Sequence, residues 1–300
     1  MILDFHTHLG DQRLGKDDQR QPVTWEGLIG RLDDEGIAKA VLLPGCVSPE
    51  SCLGPGQLVW PAMNVRDQVL EAANYRERII PFGNLDPRWM GNSPKANFGP
   101  LLDWFLEHGC KGIGEITANL PCDDPRVINM FVQIGERGLP VDIHNVGFGP
   151  GTYGLQDDPG APRLEKLLQA APHTNICGHG QGFWAEIAWP LTPEEKMGYP
   201  KGPVAQEGAV PRLLRQYPNL YGDISAGSGY NALTRDPDYG LRFLHEFQDR
   251  LIFGTDVCFG GAAGRMPHLG YLRGLLAEGK ISQRLFDKIT WENGMRLIGG

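Results

Sequence analysis

The chain has 300 residues and a mass of 33.1 kDa, with 41% hydrophobic and 21% charged residues, a balance that excludes a largely disordered protein. A net charge of −8, a pI near 5.5 and the lack of any Lys/Arg cluster argue against nucleic-acid or anionic-membrane partners and favour a small-molecule substrate. No apolar run approaches the roughly 18 residues of a membrane span, and an apparent strand begins at Ile2 with no basic leader before it, so the expected location is cytoplasmic.

Short β-type runs recur along the chain. In order they are "ILDFH" (2–6), "AKAVLL" (38–43), "IIPFGNL" (79–85), "KGIGEI" (111–116), "PVDIH" (140–144), "TNICGH" (174–179), "LYGDIS" (220–225) and "LIFGTD" (251–256). Segments of helical period lie between them. Trp25, Leu28, Ile29 and Leu32 precede Gly36; Leu101, Leu102, Phe105 and Leu106 precede Gly109; Val127, Ile128, Phe131 and Val132 precede Gly138. The same spacing returns at Leu164, Leu167 and Leu168, at Leu213 and Leu214, and at Leu241, Leu244 and Phe247. Eight strands alternating with helices in a chain of this length predict a single α/β domain over residues 1–300, a (β/α)₈ TIM barrel with its site at the carboxyl ends of the strands. The alternative is an open doubly wound sheet.

The segments without clear period, 9–24, 44–64, 145–162 and 180–205, each follow a strand. Loops longer than about 12 to 15 residues are more often functional than idle. The six cysteines form no CxxC pair and no disulfide framework. Cys110, Cys177 and Cys258 sit on or just after apolar runs, where a thiol acts as a small buried hydrophobe.

On a strand through "DFHTH", alternate side chains share a face, so Asp4, His6 and His8 point into the barrel and Leu3, Phe5 and Thr7 point away. His144, His179 and Asp256 end the fifth, sixth and eighth strands, which brings five imidazole and carboxylate groups to one rim. Such groups are the ligands of a catalytic divalent metal, commonly zinc, with a position left for water. The other reading of each is a hydrogen-bonded core residue.

The pieces "DFHTH", "IHNVG", "GHGQG" and "GTD", with "GIAKAVLL", "NLYGDISA" and "ITWENGMRLIG", resemble the amidohydrolase superfamily, in particular its amidohydrolase-2 group of metal-dependent barrel enzymes. The resemblance implies that His6, His8 and Asp256 hold the more buried metal. His144 and His179 would then ligate a second ion, or one would ligate while the other polarises substrate. Asp256 would also take the proton of metal-bound water, giving a metal-bound hydroxide that attacks a carbonyl or phosphoryl centre. Zinc is the expected ion, one or two per chain, with manganese or magnesium as alternatives.

Glu115 in "KGIGEI" resembles the strand-four glutamate of the binuclear branch and differs from the decarboxylase branch, which favours a hydrolase of esters, lactones, amides or phosphodiesters with Glu115 as a bridging ligand. The alternatives are a metal-dependent non-oxidative decarboxylase or hydratase of the same group, and a non-catalytic metal- or ligand-binding barrel. Lys111 and Asp142 are expected to face inward and to pair, and Asp4 and Asp223 to orient metal-bound imidazoles. Candidate substrate contacts in the loops are Arg13, Arg88, Trp184, Arg265 and His268, with "GFWAEIAWP" as part of a lid. His108, His173 and His245 read as surface or packing residues. A homo-oligomer is left open.

Overall fold

A computed structural model of the chain describes residues 1–11, 19–45 and 64–299. All eight expected strands form, as β1 (Leu3–Thr7), β2 (Lys39–Leu42), β3 (Ile79–Pro81), β4 (Ile113–Ile116), β5 (Val141–Gly147), β7 (Ile176–His179), β8 (Leu220–Asp223) and β9 (Leu251–Ile252). A further short strand, β6 (Leu155–Asp157), lies inside a segment read as loop and pairs with the end of β5. Every ladder is parallel, in the orders β1-β2-β3 and β4-β5-β7-β8-β9.

Two seams join these sheets. At one, Gly83 N and Gly114 N bond to Gly112 O and Gly83 O, both at 2.9 Å. At the other, Phe5 N bonds to Phe253 O at 3.0 Å and Asp256 N to His6 O at 2.8 Å. An open doubly wound sheet has two free edges, and pairing at both seams rules it out in favour of the barrel.

The helices form where the apolar period placed them. Trp25–Glu35 starts at Thr24, whose side chain accepts from Gly27 N, and ends at Gly36 in the left-handed conformation that glycine adopts without a Cβ clash. It buries Leu28 and Leu32, while Pro125–Gly135 buries Val127, Met130, Phe131 and Ile134 against the outside of the strands. Inside the ring, Leu3, Phe5, Val41, Leu43, Phe82, Cys177 and Ile252 form a separate apolar layer with Leu297 and Ile298 from the end of the chain. That layer fills the lower barrel and leaves the polar groups at the carboxyl ends of the strands.

Three local expectations are corrected. The register of β1 against β2 shifts between Asp4 and Thr7, so strict alternation fails there. Leu3 and Phe5 face the inner layer, and Asp4 turns to Arg31 of the first helix (2.6 Å) and to Thr255 N and Oγ1 (2.8 and 2.6 Å). Asp4 therefore ties β1 to the end of β9 and touches no imidazole ring in the bonds it makes. Lys111 precedes the start of β4 and is exposed, so it does not pair with the buried Asp142.

The segment after β7 is no lid. It folds into the helix Gln181–Ala185, with Phe183 and Trp184 fully buried, and the short helix Pro193–Lys196. No helix among the described residues is long and apolar enough to cross a membrane. Cys110, Cys122 and Cys177 are free and buried and Cys258 is free and half-buried, while Cys46 and Cys52 lie outside the described residues.

Candidate metal centre

His6 and His8 lie at the carboxyl end of β1 with each Nδ1 committed to an acceptor. His6 Nδ1 donates to Asp223 Oδ2 at 2.6 Å, and His8 Nδ1 to the Leu43 carbonyl at 2.8 Å. Their Nε2 atoms consequently face each other, 3.0 Å apart. Two lone pairs at that distance require a cation or a proton between them. Asp256 Oδ1 completes the group at 3.1 Å from His8 Nε2 and 3.6 Å from His6 Nε2. Donors on one tetrahedral ion with bonds of about 2.0 to 2.2 Å stand about 3.3 to 3.6 Å apart, so the three atoms fit one divalent cation.

Asp256 follows β9 with φ of 58°, a left-handed conformation that a residue with a Cβ adopts at a cost of about 1 to 2 kcal/mol. Its N–H bond to His6 O holds that turn.

Glu115 reaches the same space from β4. Its Oε2 lies 3.8 Å from His6 Nε2 and 3.7 Å from His8 Nε2, while Oε1 lies 3.7 Å from His179 Nε2 and accepts from His144 Nδ1 at 2.7 Å. Asp256 is arranged in the same way, with Oδ2 turned to His179 Nε2 at 3.7 Å. Each carboxylate thus gives one oxygen to the His6–His8 side and one to the His179 side. His6, Glu115 and His179 form a second donor group.

His144 joins neither group. Its Nδ1 is held by Glu115, its Nε2 is 3.2 Å from Gln181 Oε1, and the Tyr153 ring lies over it at 4.2 Å. A ligand role for His144 through Nδ1 would replace its bond to Glu115.

Charge in the metal-free cluster is held by protons. Burial disfavours a charged His6, but Asp223 and Asp256 outweigh it and raise the imidazole well above its usual pKa. His179 is raised against burial and against His6 by Asp223 and Glu115. Despite burial, His144 and then His6 pull Glu115 well below the carboxylate range, and His6, His8 and His179 lower Asp256. Asp142, two residues before His144, is fully buried, and neither of its oxygens has a hydrogen-bond partner. Burial, with Asp223 adding to it, pushes Asp142 well above the carboxylate range against the pull of His6, 3.7 Å away. A buried nest with this many carboxylates suits a divalent cation.

A family model described as Amidohydrolase matches residues 64–300. The chain belongs to the amidohydrolase family. Solved structures agree over the whole length. A probable 2-pyrone-4,6-dicarboxylic acid hydrolase from Acinetobacter baumannii, with citric acid bound, is 12% identical, covers 100% of this chain and 99% of its own, and superposes with a TM-score of 0.59. The 5-carboxyvanillate decarboxylase from Sphingomonas paucimobilis is 14% identical, with coverage of 99% and 98% and a TM-score of 0.61. Its counterpart from Novosphingobium aromaticivorans, complexed with manganese and 4-hydroxy-3-methoxy-5-nitrobenzoic acid, is 14% identical, with coverage of 100% and 96% and a TM-score of 0.62. At these identities the likeness carries the barrel fold alone. No curated protein matches the chain.

Among the described loop residues expected to touch substrate in this amidohydrolase, none belongs to the donor groups. Trp184 is buried with its Nε1–H on the Asp223 carbonyl at 2.8 Å, which makes it a support of the site and not a substrate contact. Arg265 is exposed and paired with Asp34 at 3.1 Å on the outer surface. His268 is buried, with Nε2 on the Ala226 carbonyl at 2.8 Å. Arg88 grips Asp86 through Nε and Nη2 at 2.8 and 2.5 Å. Arg13 lies outside the described residues. His108, His173 and His245 are exposed, away from the cluster.

Sequence reading missed Ser225, Gln181, Tyr153 and Asn84. Asn84 Nδ2 bonds the Glu115 carbonyl at 2.9 Å and so holds the strand that presents the carboxylate. Only Ser225 left a signal, in the polar end of "LYGDIS" one pleat beyond Asp223.

Proposed function

We propose that this amidohydrolase is a divalent-metal-dependent hydrolase of a small ester, lactone, amide or phosphodiester, with zinc as its ion. The observation that carries the reading is the double orientation of Glu115 and Asp256, each with one oxygen toward His6 and His8 and the other toward His179. Carboxylates that span two donor groups suit paired ions about 3.5 to 4 Å apart. His6, His8 and Asp256 would hold one ion, and His179 with Glu115 the other. A bound ion polarises a carbonyl or phosphoryl oxygen and acidifies the attacking water.

The chain's own groups do the rest. Asp256 takes the proton of the attacking water, because neighbouring imidazoles keep its carboxyl ionised and its side chain, 20% exposed, is more accessible than those of the other donors. Asp223 fixes the His6 ring through Nδ1. His144 keeps Glu115 in place, and the partly exposed Tyr153 ring tilted against it marks the side from which substrate approaches.

The decarboxylase reading draws on the fold shared with the 5-carboxyvanillate decarboxylases, one of them complexed with manganese. It needs only one ion, held by His6, His8 and Asp256.

Metal stoichiometry joined to an activity panel separates these readings. The hydrolase reading expects close to two ions per chain at saturation, a fall toward one in Glu115→Gln, and turnover of a hydrolysable compound. One ion in the unaltered protein, or two retained in the variant, removes the bridge. Release of CO2 without hydrolysis would establish the decarboxylase, and bound metal with no turnover on either set of compounds would leave a binding barrel.

A further inference from the structure

The loop after β8 contains a side chain that none of the roles above uses. Ser225 is fully buried, and its hydroxyl lies 2.7 Å from Asp223 Oδ2 and 2.8 Å from His179 Nδ1. It precedes the helix Ala226–Thr234 in the position of a cap, yet its side chain makes no capping bond. The Asp223 oxygen it meets is the one that accepts from His6 Nδ1. One chain of bonds therefore runs from His6 through Asp223 and Ser225 to His179.

Proton counting fixes its direction. A hydroxyl has one hydrogen, and a carboxylate oxygen only accepts. The Ser225 hydrogen goes to Asp223, so toward His179 the hydroxyl acts as acceptor and Nδ1 of that ring is the donor. His179 is then left with its Nε2 lone pair facing Glu115 and Asp256, at 3.7 Å from each. Nothing else in the described structure takes His179 Nδ1 so closely: the next acceptor, Asp223 Oδ2, is 3.3 Å away.

Packing holds the arrangement. A Cβ at Gly254 would come within 2.8 Å of His6 Cβ, 2.9 Å of Asp223 Oδ1 and 3.0 Å of Ser225 Cβ, so a glycine there lets β9 close on these three residues. Ser225 N also bonds Asp223 Oδ1 at 3.1 Å, and Trp184 holds the Asp223 carbonyl.

We infer that Ser225 is a positioning residue that sets the His179 tautomer and, through the shared Asp223 oxygen, locks both imidazoles with Nε2 presented to the metal. The inference rests on the metal-holding reading of the site. It predicts that Ser225→Ala folds but binds Mn2+ or Zn2+ about 10 to 100-fold more weakly, the usual effect of losing a group that orients a ligand, whereas Ser225→Thr, which keeps the hydroxyl, binds within a few-fold of the unaltered protein.

The test is a metal titration of the three proteins, with ¹⁵N NMR of histidine-labelled, metal-free samples. At a pH high enough to leave the ring neutral, His179 of the unaltered protein should be a single Nδ1–H tautomer, and that of Ser225→Ala a mixture. Equal affinity in Ser225→Ala, or an Nε2–H His179 in the unaltered protein, overturns the inference. If the alanine variant fails to fold, the tautomer of the unaltered protein decides. An unaltered protein that takes up no metal would sink the metal centre instead, and the tautomer measurement would still judge Ser225.

Discussion

Asp256 combines an unfavourable backbone with a central side chain. Its left-handed φ is held by a bond to His6 O, and its two oxygens face two different groups of imidazoles. Strain of this kind persists where the surroundings over-determine it, and a turn at a strand end that also aims a carboxylate is such a place. Asp256→Asn keeps the shape and removes the basicity, so kcat should fall at least about 10²-fold, the low end of what general acid–base groups contribute. Circular dichroism and metal analysis must show a folded, metal-loaded variant. A kcat within a few-fold of normal in that variant would rule out Asp256 as proton acceptor.

Between β7 and β8, a stretch that carries no clear period becomes ordered through one buried ion pair. Lys196, from the helix Pro193–Lys196, is fully buried and reaches Glu186 Oε1 at 2.8 Å and the Gly182 carbonyl at 3.0 Å. Glu186 Oε1 also accepts from Gly160 N at 2.8 Å, so three segments meet at one carboxylate. The helix Gln181–Ala185 carries Gln181, which meets His144, and Trp184, which holds Asp223. The pair therefore anchors the wall behind the metal centre. Lys196→Met should lower the unfolding free energy by about 3 to 5 kcal/mol, because it removes one partner of a fully buried ion pair and leaves Glu186 buried without its cation. Urea denaturation measures this, and the double variant with Glu186→Leu should cost less than Lys196→Met alone. A single-variant cost under about 1 kcal/mol would show that the pair is not a clamp.

The donor groups come from β1, β4, β7 and the end of β9, which belong to both sheets of the ring, so an ion held there would join the barrel across its mouth. Metal that binds only the folded chain stabilises it by about 2.7 kcal/mol at a hundred times Kd, or about 5 °C in Tm for a chain of this size. The gain depends on pH. In the metal-free protein His6 and His179 have pKa values above the ordinary 6.5 because, against burial, Asp223 with Asp256 or Glu115 favours their charged forms. Their contribution to stability is full below pH 6.5 and is lost as pH rises through the raised values. Metal needs the neutral rings, so its affinity climbs over the same range. The Tm difference between loaded and stripped protein should widen from pH 6 to pH 8. A difference that stays constant or narrows would contradict the ligand assignment.

Element types were legible because they follow from local rules: period, caps and chain length specify eight strands, their helices and a barrel without knowledge of any contact. The convergence of His6, His8, His179 and Asp256 was also legible, since each lies near or just beyond the carboxyl end of a strand and parallel strands in a ring bring those ends together. Facing was not. Strict alternation sent Asp4 inward, and only the shifted register of β1 against β2, a property of two strands together, turned it to Arg31 and Thr255. Likewise, the burial of Trp184 and His268, the pairing of Arg265 with Asp34 and the bond from His144 to Glu115 join residues 29 to 231 positions apart. Such partners are set by which surfaces meet when the ring closes. Local sequence therefore determined which groups reach the rim, and tertiary packing decided which of them touch one another and which atoms they leave free.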